Sequence, residues 1–239
     1  MNVIVPISRR SSARVIAITG CDGAGKSTLA THLARHFSSE CSTELIYLGQ
    51  SSGFIGKWLG SLPVIGSYMS RFLISRSEQV HQRPSVPPGN LAALVIYLLS
   101  CWRAYKFRRM LMKSKKGILL ITDRYPQAEI PGFRVDGPQL AKSSGGNGWV
   151  RMLKRSEQRL YQWMASYPPL LLIRLNIDEQ TAHLRKPDHT LSALREKIAA
   201  IPHLKFNGAT ILDLDAREPE INILDRSLKA IQIILSGTK

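Results

Sequence analysis

The chain has 239 residues, 44% of them hydrophobic and 21% charged, a balance that suits one large globular domain or two small ones and excludes a disordered chain. Lysine and arginine number 33 against 17 aspartate and glutamate, so the net charge of +16 attracts phosphate-bearing partners without choosing among ATP, a nucleotide acceptor, nucleic acid and an anionic membrane surface. Cys21, Cys41 and Cys101 are odd in number and show neither a CxxC pair nor a metal-type Cys/His spacing; they read as reduced thiols of a cytoplasmic protein.

Residues 1–13 lack the charged-then-apolar order of a signal peptide and read as a flexible leader, with residues 14–239 as a single domain. Residues 15–19 form a short β-branched run that meets a glycine cluster, and residues 26–37 then carry Leu29, Leu33 and Phe37 at helical spacing, which predicts strand, loop and helix. A second strand is expected over 44–48. Residues 53–77, rich in aromatics and glycines, begin an insertion that runs to about residue 90. It reads as a packing element, or alternatively as a cover over an acceptor or as a membrane or partner contact.

The apolar stretch 91–102 is interrupted by Ser100 and falls short of the roughly 20 residues that span a bilayer, so it opens a buried helix over 91–113. "GILLIT", residues 117–122, is a third strand whose unbroken apolar character suits burial on both faces of a parallel sheet. "AKSSGGNGW", residues 141–149, has the composition of a flexible loop. Helices follow over 150–165, 179–185, 190–201 and 220–235, the last opened by Pro219 and closed by Gly237, with strands over 170–177 and 209–214 between them. This alternation predicts a three-layer α/β/α P-loop NTPase fold around a parallel five-stranded sheet, with right-handed crossovers.

"GCDGAGKST", residues 20–28, satisfies GxxxxGK[ST] and lies between a strand and a helix, where the motif has physical meaning. Gly20, Gly23 and Gly25 let successive backbone N–H groups turn inward on an anion, and the positive end of the helix adds to the field. Gly20, Asp22, Gly23, Ala24, Gly25, Lys26, Ser27 and Thr28 thus form the expected ATP-binding set, with Lys26 reaching the β- and γ-phosphates and the Ser27 hydroxyl ligating Mg²⁺. The third strand ends in "DRYP", residues 123–126. At that sheet edge Asp123 is placed to hold Mg²⁺ and Arg124 to neutralise a transferring phosphoryl group, a strand-end ion pair being the plain alternative.

With these motifs in this order, the chain resembles the thymidylate kinases. Their phosphate loop typically has an acidic residue where Asp22 stands, DRY is their signature at the end of the third strand, and Arg103 in "YLLSCWRAYK" falls where they carry an arginine for the acceptor phosphate. The resemblance covers roughly residues 15–37, 91–125 and 168 to the end. It implies ATP and Mg²⁺ as cofactors and a nucleoside monophosphate as the small-molecule acceptor, bound by Asp22, Arg103, Arg124 and Tyr125. It further implies a lid near 183–202 and leaves room for a homodimer, with no stable nucleic acid or membrane partner.

Some members place an arginine inside the phosphate loop. Gly23 occupies that place here, so the further cation that phosphoryl transfer calls for falls to the lid, where Arg185 and Lys186 are candidates and the planar fork of Arg185 is favoured. Members also follow DRY with a Ser, Ala, Tyr and Gln pattern, whereas this chain reads "PQAEIPGFRVDGPQLA". Asp136 with Arg134 offers a different acceptor grip, or a simple turn at residues 136–138. Two other functions stand beside the leading one: a P-loop kinase acting on a hydroxyl, with Asp123 or Asp22 as base, and a nucleotide-dependent interaction module. His32 and His36 have zinc-pair spacing but lack the intervening glutamate, and no zinc is expected there.

Overall fold

Five β-branched and leucine-rich runs become the strands β1 (Ser12–Gly20), β2 (Thr43–Tyr47), β3 (Leu119–Asp123), β4 (Pro169–Asn176) and β5 (Ile211–Asp215). The computed structural model describes residues 12–49, 89–142 and 145–237. Most of the expected leader, the bulk of the expected insertion and residues 143–144 lie outside the described residues. The strands pair in parallel in the order β2-β3-β1-β4-β5. Around them stand α1 (Lys26–Ser38), α2 (Asn90–Lys115), α3 (Gly148–Ala165), α4 (Glu179–Arg185), α5 (Leu191–Ala200) and α6 (Glu220–Ser236).

Alternate strand residues face opposite sides of the sheet. Ile16 and Ile18 therefore enter one core with Leu29, Leu33 and Phe37 of α1 and Ile231 of α6, whereas Val15 and Ala17 enter the other with Phe107 of α2 and Tyr161 of α3. Each fully buried large side chain contributes about 1.5–3 kcal/mol. The three layers are the result, and β3, buried at all five positions, sits between them with no solvent face. Arg174 of β4 donates from Nε and Nη2 to the two carboxylate oxygens of Asp213 on β5, at 2.6 and 2.8 Å, and so fastens the edge of the sheet.

The apolar stretch that opens α2 is buried on one face only. Ala92, Ala93, Ile96 and Ser100 turn inward, while Leu91, Leu98 and Trp102 are exposed. Among the described residues no helix is long and apolar enough to cross a membrane. Local caps agree with the sequence: Asn147 Oδ1 accepts from Val150 N at 2.9 Å to start α3, and Asp178 Oδ1 accepts from Thr181 N at 2.9 Å to start α4. Because β1 lies between β3 and β4, the loops leaving β1 and β3 open onto one crevice at the carboxyl edge, the place where open α/β sheets bind ligands.

Candidate active site

At Gly20 and Gly23 the phosphate loop runs so close to its neighbours that a side chain is excluded. A Cβ on Gly20 would lie 2.7 Å from the Leu175 carbonyl oxygen, and one on Gly23, at φ 84°, would lie 3.0 Å from that of Ala182. Lys26, at the start of α1, is 7% exposed and donates from Nζ to the Cys21 carbonyl at 2.7 Å. Burial first, and then repulsion from Arg124, lower its pKa to about 8. The lysine thus closes its own loop, and its charge is only partly compensated by Asp22 at 3.8 Å.

Ser27 Oγ donates to Asp123 Oδ2 at 2.6 Å, which joins the phosphate loop to the end of β3. The other carboxylate oxygen, Asp123 Oδ1, is buried without a hydrogen-bond partner. Such a group is costly unless something completes it, and a cation beside Ser27 would do so. Among the described residues no cluster of three or more His, Cys, Asp or Glu is arranged for a metal. An ion at this point would draw its remaining ligands from phosphate and water, which is the habit of Mg²⁺.

Arg124 follows Asp123 with φ 72°, a left-handed conformation that costs a non-glycine residue on the order of 1 kcal/mol. Its N–H still donates to Ile18 O at 2.9 Å, so the strand pairing survives while the side chain is turned into the cleft. There Nη2 donates to Asp22 Oδ1 at 3.1 Å, and Nη1 lies 3.6 Å from Asp136 Oδ2. Despite its burial, Asp136, Tyr47 and Asp22 hold this guanidinium above its ordinary pKa.

Asp22 is the centre of the charge pattern. It pairs with Arg124, with Lys26, with Lys197 of α5 and, at 3.7 Å, with His189 Nδ1. Burial alone would raise its pKa, but Lys197, then Lys26 and Arg124, hold it well below the usual carboxylate range. A carboxylate with a depressed folded pKa contributes stability that is complete above the unfolded value of 3.8 and disappears as pH falls through the folded one. Asp22→Asn should therefore cost about 2 kcal/mol at pH 7, less than breaking a fully buried pair, because three cations lose their shared partner. Urea unfolding checks this: the deficit should persist at pH 4.5 and close only below the unfolded pKa.

The cleft, of about 690 Å³, gathers Lys26, Ser27, Asp123, Arg124, Arg185 and Asp136 from the sequence-expected residues, with Asp22, Gly23, Gly25 and Thr28. Arg185 Nη1 donates to Gly23 O at 3.3 Å and to Ala216 O at 3.0 Å, tying the phosphate loop to the turn after β5. Three expected residues are placed differently. Tyr125 is 1% exposed, packs edge-on against Phe107 and donates from its hydroxyl to Tyr167 O at 2.6 Å, so it belongs to the core and not to the cleft wall. Arg103 is also buried, behind Asp136, donating from Nη2 to Asp136 Oδ1 at 2.9 Å and from Nη1 to Tyr161 Oη at 3.5 Å. Arg134 is not among the residues lining the cleft and donates to Glu196 of α5 at 2.9 Å.

Sequence reasoning missed Lys197, Tyr47 and His189, all of which line the cleft. For Lys197 a signal existed. It shares one helix face with Leu194 and Ile201, both buried, and a lysine inside an apolar stripe asks for a partner. Tyr47 ends β2, where Lys106 of α2 donates to its carbonyl at 3.2 Å and to that of Gly49 at 2.8 Å. The histidines set aside as metal ligands pair with carboxylates instead, His32 with Glu220 and His36 with Glu40.

The sheet order, the glycine loop ahead of α1 and the three-layer packing define a P-loop kinase fold. A solved deoxyadenosine kinase from M. mycoides with bound dATP shares that fold, with a TM-score of 0.52 and 13% identity over 91% of this chain and 99% of that one. In sequence the chain is 64% identical over 230 residues to the uncharacterized ATP-binding protein YghS of Escherichia coli K12, covering 96% of this chain and 97% of that protein. The uncharacterized ATP-binding protein YghR of the same strain is 38% identical over 220 residues, 92% of this chain and 87% of that one. The chain belongs to the family these two proteins represent. No protein-family model matches it.

Proposed function

We propose that the chain moves the γ-phosphoryl group of Mg·ATP onto the phosphate of a small nucleotide, as a nucleoside monophosphate kinase with thymidylate kinase-like chemistry. The ATP-binding names of both relatives support the donor, as does the glycine loop with Lys26 at its base. Ser27 and Asp123 would hold Mg²⁺, which would supply charge neutralisation at the donor phosphates when bound. Lys26 orients those oxygens, and Arg124 faces the space between donor and acceptor.

One observation carries the acceptor class. Among the described residues, Asp22 is paired with three cations and Asp136 with Arg103 and Arg124, while Asp123 accepts from the Ser27 hydroxyl through Oδ2 and keeps its unpartnered Oδ1 for the cation. A hydroxyl acceptor calls for a base to take its proton, and with Asp123 given to the cation no carboxylate of the cleft is left for that role. A phosphate acceptor arrives as an anion and needs no base. It also complements a cleft in which Lys26, Arg124, Arg185, Lys186 and Lys197 outnumber the three aspartates.

Steady-state ADP formation with a panel of nucleoside monophosphates and the corresponding nucleosides tests this reading. Turnover is expected with monophosphates, thymidylate among them. Activity confined to unphosphorylated acceptors would overturn it.

A further inference from the structure

Helix α5 is fastened through four consecutive residues. Leu194 is fully buried, and its carbonyl lies 3.9 Å from Cys21 Sγ. Arg195 donates to both oxygens of Glu179 at 2.6 and 2.9 Å. Glu196 accepts from Arg134 and Lys142, and Lys197 ends on Asp22. Lys197 is 7% exposed, so its charge has been taken out of water to meet a carboxylate that Lys26 and Arg124 also use. Three cations around one carboxylate leave an excess of positive charge at the phosphate loop, and excess charge in a desolvated place is stabilised by an arriving anion.

We propose that Lys197 is the cation delivered by α5 to the transferring phosphoryl group, with Asp22 as its counterion on the phosphate loop. This rests on the kinase reading above. In the transfer, the bond from the γ-phosphorus to the β,γ-bridging oxygen breaks as a bond to an acceptor phosphate oxygen forms; the electron pair leaves with ADP, and no proton moves. Charge gathers on the bridging and peripheral oxygens. Lys26 is held at the base of the loop, and Arg124 approaches from the acceptor side. Lys197 reaches the same cleft from a third element, a helix anchored by its three preceding residues, on a stem of four methylenes. Arg185, whose Nη1 is taken by the carbonyls of Gly23 and Ala216, is then a positioning residue for the loop.

The full chain carrying Lys197→Met, which keeps the apolar stem, should lose about 100-fold in kcat while its KM for ATP rises less than tenfold, as expected for a contact that strengthens in the transition state. Lys197→Arg should recover at least about a tenth of the wild-type kcat, since it restores the charge. Arg185→Ala should show the opposite split, raising the ATP KM more than it lowers kcat. A readout that needs no acceptor is calorimetry with Mg·AMP-PNP and Mg·ADP, where Lys197→Met should reduce the preference for the γ-phosphate by about fivefold. If the methionine variant does not fold, Lys197→Gln, which keeps a hydrogen bond to Asp22 without the charge, takes its place. A kcat within threefold of wild type, or an unchanged γ-phosphate preference, overturns the assignment of Lys197 and leaves the kinase reading standing. A wild-type protein that takes up neither nucleotide overturns the kinase reading, and this proposal with it.

Discussion

Lys26→Ala abolishes phosphoryl transfer, with kcat/KM reduced by at least about a thousandfold, because the variant loses a buried charge in a site where donors act at low dielectric. The loss is separable from any loss of fold. The pKa of Lys26 is depressed from 10.5 to about 8, so below pH 8 the folded protein keeps protonated a group that the unfolded chain ionises more easily. That linkage makes the charged lysine a destabilising element at neutral pH. Lys26→Ala should accordingly melt no lower than wild type at pH 7 while failing in steady-state assays. A variant retaining kcat/KM within tenfold of wild type would remove the phosphate loop from the proposed mechanism. An inactive variant that also melts well below wild type would instead assign Lys26 a structural role.

The elements that carry the phosphate loop were legible because local physics and tertiary context agree there. The apolar run over 15–19 ends at Gly20, and the helix expected over 26–37 is observed as Lys26–Ser38. The helix over 179–185 has the expected bounds, set by the Asp178 cap and the break before Pro187. Strand order was not legible: that β1 lies between β3 and β4 depends on which helix covers which face, and each strand's sequence is compatible with several neighbours. The site divides in the same way. Lys26, Ser27 and Asp123 follow from spacing within a motif or from a strand end. Arg103, Tyr125 and Arg134 were placed by their position in the chain, and that says nothing of direction. After the left-handed turn at Arg124 the chain carries Tyr125 into the core, and Arg134 finds Glu196, 62 residues away. Lys197 and Asp22 are 175 residues apart, a pairing that no local pattern encodes.

Asp136→Ala should destabilise the fold by about 3–5 kcal/mol, because it strips a buried guanidinium of its carboxylate. Arg103 is 1% exposed, and it donates to Asp136, at both carboxylate and carbonyl, and to the Tyr161 hydroxyl. Its charge stays above the ordinary arginine pKa against the opposing effect of burial, with Asp136 the largest favourable influence. Arg103→Met removes the charge together with its need for a partner, and Asp136 then still faces Arg124 at 3.6 Å. It should therefore cost less than half as much as Asp136→Ala, and the double variant should be more stable than Asp136→Ala alone, since the orphaned charge is gone. Urea midpoints of the three proteins measure the coupling. The same series tests the acceptor side: with its guanidinium behind Asp136, Arg103 should leave the acceptor KM within about threefold when replaced, whereas a direct grip on an acceptor phosphate would raise it far more. Equal costs for the two single variants would mean that Arg103 finds another partner once Asp136 is gone, and Asp136 would then not be its required counterion.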